Sequence, residues 1–493
     1  MKRAVAVLLV LASVAGHASV LTTGVQLAEE PVEASDTDVV DKAIDDIYVG
    51  KAANALRTFD DALKRTDDRN AKAYLKALRG LAFLSLKKPV EARAEFAEGT
   101  KLAPNTPEVD RLRFIGGLEF GSREEASLGL DRMLAAFPDV IHTLPEEYVS
   151  GYLSMKEGKG LKAVDDQRIG LAQIGFGGNS GDYLAVSAVE LLIKRGRVDD
   201  AKALIPHIDE RSALEVALIQ KKFAPVWQAI EAHAGLRMSR VEDEAVRLAR
   251  IDFDEKPDDP KKLHILISAL SEARRYQEAI DVGSKFAVSP LEMAKVDVQG
   301  GWVVNGHASA LYRAKRFAEG DARFAALNAA HDENWIVSMK INRLAALVRT
   351  GRYSEASQLI TLTEESAISQ GNDYARQLVR RLKLCIFHRI GRTAEATALL
   401  AEMKAKAADA PAATVEGLLC IGDIDAAEKV VLDTLSGNDD HASMLLELQR
   451  RPLDSDDPSE WRKSWQDLRG RPAVSAAFDK VGRDLPDAMY PES

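Results

Sequence analysis

The chain has 493 residues, a formal net charge of -10, 29% charged and only 6% aromatic residues. That length exceeds what one hydrophobic core organises, so the choice lies between several globular domains and a repeat array. The acidic balance gives no general attraction to nucleic acid or anionic lipid, so nucleic acid is not an expected partner and any basic site must be local.

In chain order, residues 1–18 read as a signal peptide: Lys2 and Arg3, an apolar run from Ala4 to Ala15, and Gly16-His17-Ala18 as a small-residue cleavage site. The run is short for a span of roughly 20 residues. The expectation is a cleaved signal, a mature chain without a transmembrane segment, and a periplasmic or secreted location. Residues 19–38, with Glu29, Glu30, Pro31, Glu33, Asp36 and Asp38, read as a polar disordered linker.

Residues 39–435 read as one helical repeat array. β-branched residues rarely form alternating runs there, and one phrase recurs: a glycine or basic residue, often Arg, an apolar residue, a polar step, and alanine five positions after the start. Gly196 to Ala201, Gly351 to Ala356, Gly391 to Ala396 and Gly422 to Ala427 are plain copies. Arg274 to Ala279 and Lys315 to Gly320 are variants, and further copies end at Ala55, Ala92, Ala126 and Ala163. Successive end positions lie 37, 34, 37, 38, 78, 41, 36, 40 and 31 residues apart, so the long gap predicts a degenerate unit near Lys222 to Trp227. Physically the phrase is the turn of a helical hairpin. Glycine accepts the left-handed conformation that ends one helix, and the small alanine sits where the two helices cross.

After the array, residues 436–458, with Asp454, Asp456, Asp457 and Pro458, read as a linker. Residues 459–485, with Trp461, Trp465, Leu468, Phe478 and Val481, read as a helical cap over the open end of the array, and residues 486–493 as a disordered tail.

The repeat resembles the tetratricopeptide family, in an exported bacterial type. Gly80, Phe83, Ala92, Phe96 and Pro104 match the family's glycine, aromatic, alanine, aromatic and closing proline, and Ala126, Leu130 and Pro138 repeat the last three 34 residues on. Most later units lack the first glycine and the proline. The resemblance implies an all-α solenoid of αα-hairpins, a right-handed superhelix of divergent repeats, whose first helices line a concave groove.

Signatures of chemistry are missing from the sequence: no H-E-x-x-H, no G-x-S-x-G, no phosphate loop and no calcium loop. The histidines are scattered without ligand spacing, so no metal, cofactor or catalytic residue is expected, and the chain is read as a non-enzyme. Gly175 to Gly181 reads as a connection between helices. The doublets Asp60-Asp61, Asp199-Asp200 and Asp258-Asp259 read as acids at helix starts and turns. Cys385 and Cys420 read as two buried free thiols, with a disulfide as the alternative.

Seven residues before the end of the phrase stand Lys156, Lys194, Arg313, Arg349 and Arg389. At equivalent points of stacked units they would form a basic ladder for an anionic peptide, a carboxyl terminus or an acidic glycan, or simply cap helix ends. The same mapping adds Trp302, Asn305, Tyr312, Arg381 and His388, with Trp302 either a binding hot spot or packing between helices. The reading is an exported scaffold that binds a partner protein or extended peptide. A carbohydrate-active or cell-wall enzyme on a helical frame, or a small-ligand binding protein, are the alternatives.

Overall fold

The hairpin turn builds this molecule, and one hydrogen-bond pattern recurs at nearly every copy of it. At the end of a first helix, Gly196 N–H donates to Ile193 O at 2.9 Å and Arg197 N–H to Leu192 O at 2.9 Å. The same pair recurs at Gly351 and Arg352 (3.1 and 2.9 Å), and at Gly391 and Arg392 (3.3 and 2.8 Å). This is a Schellman cap, which satisfies carbonyls that a helix end leaves open. It needs a left-handed residue, and Gly196, Gly351, Gly391 and Gly422 have φ of 72, 73, 79 and 80°. Where the phrase starts with a basic residue the backbone is the same: φ is 57° at Arg274 and 62° at Lys315. The arginine that follows is stapled to an acid three residues on, as in Arg197–Asp200, Arg275–Glu278 and Arg316–Glu319, each at 2.6 Å. Such pairs stabilise a helix start by a few tenths of a kcal/mol, about 0.2–0.5 each.

The computed structural model describes residues 35–154, 161–177, 182–437, 441–450 and 462–490. Among these, every named element is helical, and an isolated antiparallel bridge joins Gln220 to Gly482. No helix among the described residues is long and apolar enough to cross a membrane. The chain forms two compact units, Met1–Gly177 and Gly178–Ser493.

The first unit holds α1 (Ser35–Tyr48), α2 (Ala52–Arg65), α3 (Arg69–Ser85), α4 (Pro89–Leu102), α5 (Glu108–Glu119), α6 (Arg123–Ala136), the short α7 (Pro138–Ile141), α8 (Glu146–Ser154) and α9 (Leu161–Gln173). Consecutive helices pack as hairpins, α3 on α4 and α5 on α6 most extensively. The crossing points are the phrase's alanines: Ala55, Ala92 and Ala126 are fully buried, as are Phe59, Phe96 and Leu130 four residues on. Each buried Phe or Leu stabilises by about 1.5–3 kcal/mol. Gly80 is needed for a close approach, since a Cβ there would lie 2.8 Å from the Phe96 ring.

The second unit continues with α10 (Asp182–Lys194), α11 (Val198–Leu204), α12 (Arg211–Ile219), α13 (Trp227–Ala234), α14 (Ser239–Glu255), α15 (Pro260–Glu272), α16 (Tyr276–Gly283), α17 (Pro290–Met293), α18 (Val298–Arg313), α19 (Phe317–Ala330), α20 (Val337–Arg349), α21 (Tyr353–Gln370), α22 (Asp373–Arg389), α23 (Thr393–Ala405), α24 (Pro411–Cys420), α25 (Ile424–Ser436), α26 (Ala442–Glu447), α27 (Arg462–Arg469) and α28 (Pro472–Val481). The degenerate unit expected near Lys222 is the pair α12 and α13, whose turn is a 3-10 segment over Lys221–Val226 with Pro225 inside it. At its start Phe223 N–H donates to Gln220 O at 3.1 Å.

Several expectations change. The signal segment 1–18 lies outside the described residues, as do Gly178 to Gly181 and residues 451–461; Gly175 and Gly177 are left-handed, with φ of 67 and 95°. The polar stretch 19–38 already contains the start of α1 at Ser35, and the stretch 436–458 contains α26. Residues read as a disordered tail are packed: Met489 and Tyr490 are 6% and 4% exposed. Cys385 of α22 and Cys420 of α24 are not two free thiols but a disulfide, with Cα atoms 5.7 Å apart. Their helices are first helices of adjacent hairpins, and the separation of 35 residues is about one repeat.

The C-terminal helices touch both the last hairpin and α12. Arg471 pairs with Asp425 at 2.7 Å and with Glu428, both on α25, while α26 packs on α12. These helices therefore pack on two faces.

Candidate partner-binding pocket

The last turns of α18 and α20 and the start of α19 enclose a pocket of about 230 Å³. Its lining includes Ser309, Tyr312, Arg313 and Lys315 from one side, Asn342, Arg349 and Thr350 from the other, and Phe317 and Phe324 as an apolar wall. Arg313 and Arg349 are the final residues of their helices, where a cation interacts favourably with the helix dipole. Lys315 is at the left-handed turn position, so the backbone that ends α18 also carries this third cation. No Asp or Glu lines the pocket.

Tyr312 is held from three directions. Its ring lies 5.6 Å from that of Phe317 and 6.1 Å from that of Phe324, and its hydroxyl accepts a hydrogen bond from Arg352 at 3.2 Å. Burial, with the nearby Asp321 carboxylate, pushes the hydroxyl up to about 12. Arg343 and Asp321 form an ion pair at 2.9 Å beside it. Asn342 donates to Asn305 Oδ1 at 2.9 Å, which ties α20 to α18.

Sequence-predicted positions divide. Tyr312, Arg313 and Arg349 are brought together in the pocket, and Asn305, 8% exposed, supports it from behind. Arg389 is also the last residue of its helix but lies over Tyr353, 5.8 Å from the ring centre. His388 is exposed in the same last turn. Lys194 ends α10 in an ion pair with Glu190 at 2.5 Å, shared with Lys222 at 2.7 Å. Lys156 lies outside the described residues. Arg381 pairs with Glu416 of the next hairpin, its side chain 14% exposed, so it holds hairpins together rather than facing a groove. Trp302 packs, with its ring 5.9 Å from that of His264 and against the cluster of Ala287, Met293 and Val296.

Lys315 and Phe317 were read from sequence only as part of a turn phrase, and Asn342 and Phe324 were not singled out. Asn342 carries a signal in retrospect: it stands 37 residues after Asn305, one repeat on. Of the acidic doublets, Asp199-Asp200 and Asp258-Asp259 take the roles read for them, but Asp60-Asp61 lies in the second half of α2, where Asp60 pairs with Arg79 and Asp61 with Lys64. Asp259 caps α15 by accepting from Lys261 N–H at 2.9 Å, and Asp200 staples Arg197.

A left-handed turn, a buried alanine five residues after its start in most copies, and copies mostly 31–41 residues apart define the hairpin. The chain is an all-helical array of such hairpins, and the pattern resembles the tetratricopeptide repeat. No family model matches it, and no curated protein does. Among solved structures it is similar to yeast Tom70 (12% identity, 90% of this chain and 83% of that one, TM-score 0.28). It is similar also to the P58(IPK) TPR domain (14%, 91% and 99%, 0.20) and to the APC/C hetero-tetramer Cut9-Hcn1 (10%, 91% and 90%, 0.30). Likeness at that level says nothing of partner or activity. The pocket joins two successive hairpins, so its shape depends on how they stack.

Proposed function

We propose that this protein is a protein-binding scaffold that recognises an acidic segment of a partner through the pocket between α18 and α20. The observation that carries the reading is the lining itself: three cations and several neutral hydrogen-bonding side chains, an apolar wall and no carboxylate. Such a site suits a carboxylate next to an apolar or aromatic side chain, because guanidinium–carboxylate hydrogen bonds supply direction and the ring wall supplies burial. The net charge of -10 makes a local basic pocket more selective, since acidic segments are repelled elsewhere.

The test is fluorescence anisotropy of the full chain with labelled peptides that place Asp or Glu beside Phe or Leu. Hydrogen bonds to charged groups are worth about 1.5–3 kcal/mol each, so Arg313→Glu/Arg349→Glu should weaken binding by more than about tenfold, and added salt should do the same. Equal binding by the folded double variant would sink the reading. Residues 1–18 are proposed to direct export. The disulfide supports this, since disulfides persist in oxidising compartments. Sequencing the N-terminus of protein recovered from the cell envelope should find Ser19 first, and an intact Met1 on cytosolic protein would count against it.

A further inference from the structure

We propose that the segment following α27 is a latch that closes the second unit on itself, fixing α12 and α13 against the far end of the hairpin array. A terminal cap needs one face, to cover the last repeat. This segment has two. Arg471 and the buried Val474 and Phe478 face the last hairpin, with Arg471 paired to Asp425 of α25. The residues that follow α28 reach in the other direction.

Arg483 is the centre of the second face. Its backbone N–H donates to Ile219 O at 2.9 Å, its Nε to Leu218 O at 2.6 Å and its Nη2 to Glu231 at 2.8 Å. Its guanidinium also lies 3.6 Å from the centre of the Trp227 ring. One side chain thus satisfies the open carbonyl end of α12 and clamps α13, combining an ion pair with a cation–π contact. Lys221 donates to Asp479 O beside it, and Gly482 bridges to Gln220. Gly482 is required by close approach: a Cβ there would lie 2.7 Å from Leu445 and 3.2 Å from Ile219 O. The buried Gln449 donates to Arg483 O at 3.3 Å and accepts from Leu485 N–H at 2.7 Å, so it orders the latch from within. On the receiving side, the turn Leu236–Met238 meets Asp487–Met489, and there Arg237 and Met238 are held left-handed at φ of 58 and 59°. Two consecutive non-glycine residues in that region are strained, and such strain persists only where surrounding contacts enforce it.

The placement of α12 and α13 is therefore set by this tie as well as by hairpin stacking. Hydrogen–deuterium exchange of the full chain tests this, with far-UV circular dichroism as the check on folding. In Arg483→Glu, amides of α12, α13 and α28 should exchange at least about tenfold faster while α18 to α22 keep their protection. Gly482→Ala should give the same pattern with smaller amplitude, and serves if the charge reversal fails to fold. Unchanged protection of α12 and α13 in the folded variants would overturn the latch. So would acceleration spread evenly through α18 to α22, which would make Arg483 a general stability residue.

Discussion

Gly320 stands so close to Tyr312 that a Cβ at position 320 would lie 2.6 Å from the tyrosine ring and 3.0 Å from Ala308 O. Every other copy of the turn phrase ends in alanine, and this one cannot without moving the ring that walls the pocket. Gly→Ala inside a helix ordinarily gains about 1 kcal/mol from propensity, whereas overpacking costs about 1–3 kcal/mol. Gly320→Ala should therefore lower the urea midpoint of the second unit and weaken acidic-peptide binding together. A gain in stability would mean that the crossing yields.

Gly351 isolates the cost of the turn itself. Its φ is 73°, and nothing lies within 4 Å of where its Cβ would be. Gly351→Ala should cost about 1 kcal/mol by chemical denaturation, since a left-handed L-residue costs roughly 1–2 kcal/mol and the stiffer unfolded chain returns part of that. Gly351→Asn should cost less.

In the first unit, Glu125 is fully buried and accepts from Arg93 at 2.6 Å and Arg113 at 2.8 Å. Removing one partner of a buried pair typically costs about 3–5 kcal/mol, because a charge is left without compensation. Glu125→Leu should destabilise by that amount. Arg113→Met added to it should recover a large part, measured as an interaction energy in a double-mutant cycle.

The disulfide closes a loop of 35 residues, for which chain entropy gives about 3–4 kcal/mol. Protein denatured without reductant should show no titratable thiol. Reductant, or Cys385→Ser/Cys420→Ser, should lower the melting temperature of the second unit; two free thiols in the oxidised protein would refute the pairing.

Asp182 accepts N–H donors from Asp209 at 3.1 Å and from Glu210, yet burial outweighs them and pushes its carboxyl up to about 7. A raised carboxyl holds its proton in the folded state, so its contribution is full below about pH 4 and is lost as pH rises through about 7. The urea midpoint of the second unit should carry a downward component across that window. Asp182→Asn should flatten it, and an unchanged pH profile in that variant would assign the slope elsewhere.

What could be read from the sequence was local. The Schellman turn is written within six residues, so Gly196, Gly351 and Gly391 announce it, and the basic starts at Arg274 and Lys315 follow from register. The crossing alanines and the apolar residues four positions on are equally local. Positions whose role depends on the next hairpin were not readable. Arg381 was placed in a groove, and Glu416, which holds it, is 35 residues away. Trp302 is explained by His264, and Lys315 acts in the pocket only because α20 stacks beside α18. Arg483 gave no signal at all, since a single contact between distant segments has no period.

The tie between Arg483 and Leu218 spans 265 residues, whereas each hairpin closes within a few tens. During synthesis at about 5–20 residues per second, α12 waits roughly 13–50 s for its partner to be made. Each hairpin can form as it emerges, but through that interval the Leu218 and Ile219 carbonyls and the Trp227 ring wait without Arg483. A product that stops before Arg483 would thus keep its hairpins while the carbonyl end of α12 stays without its clamp.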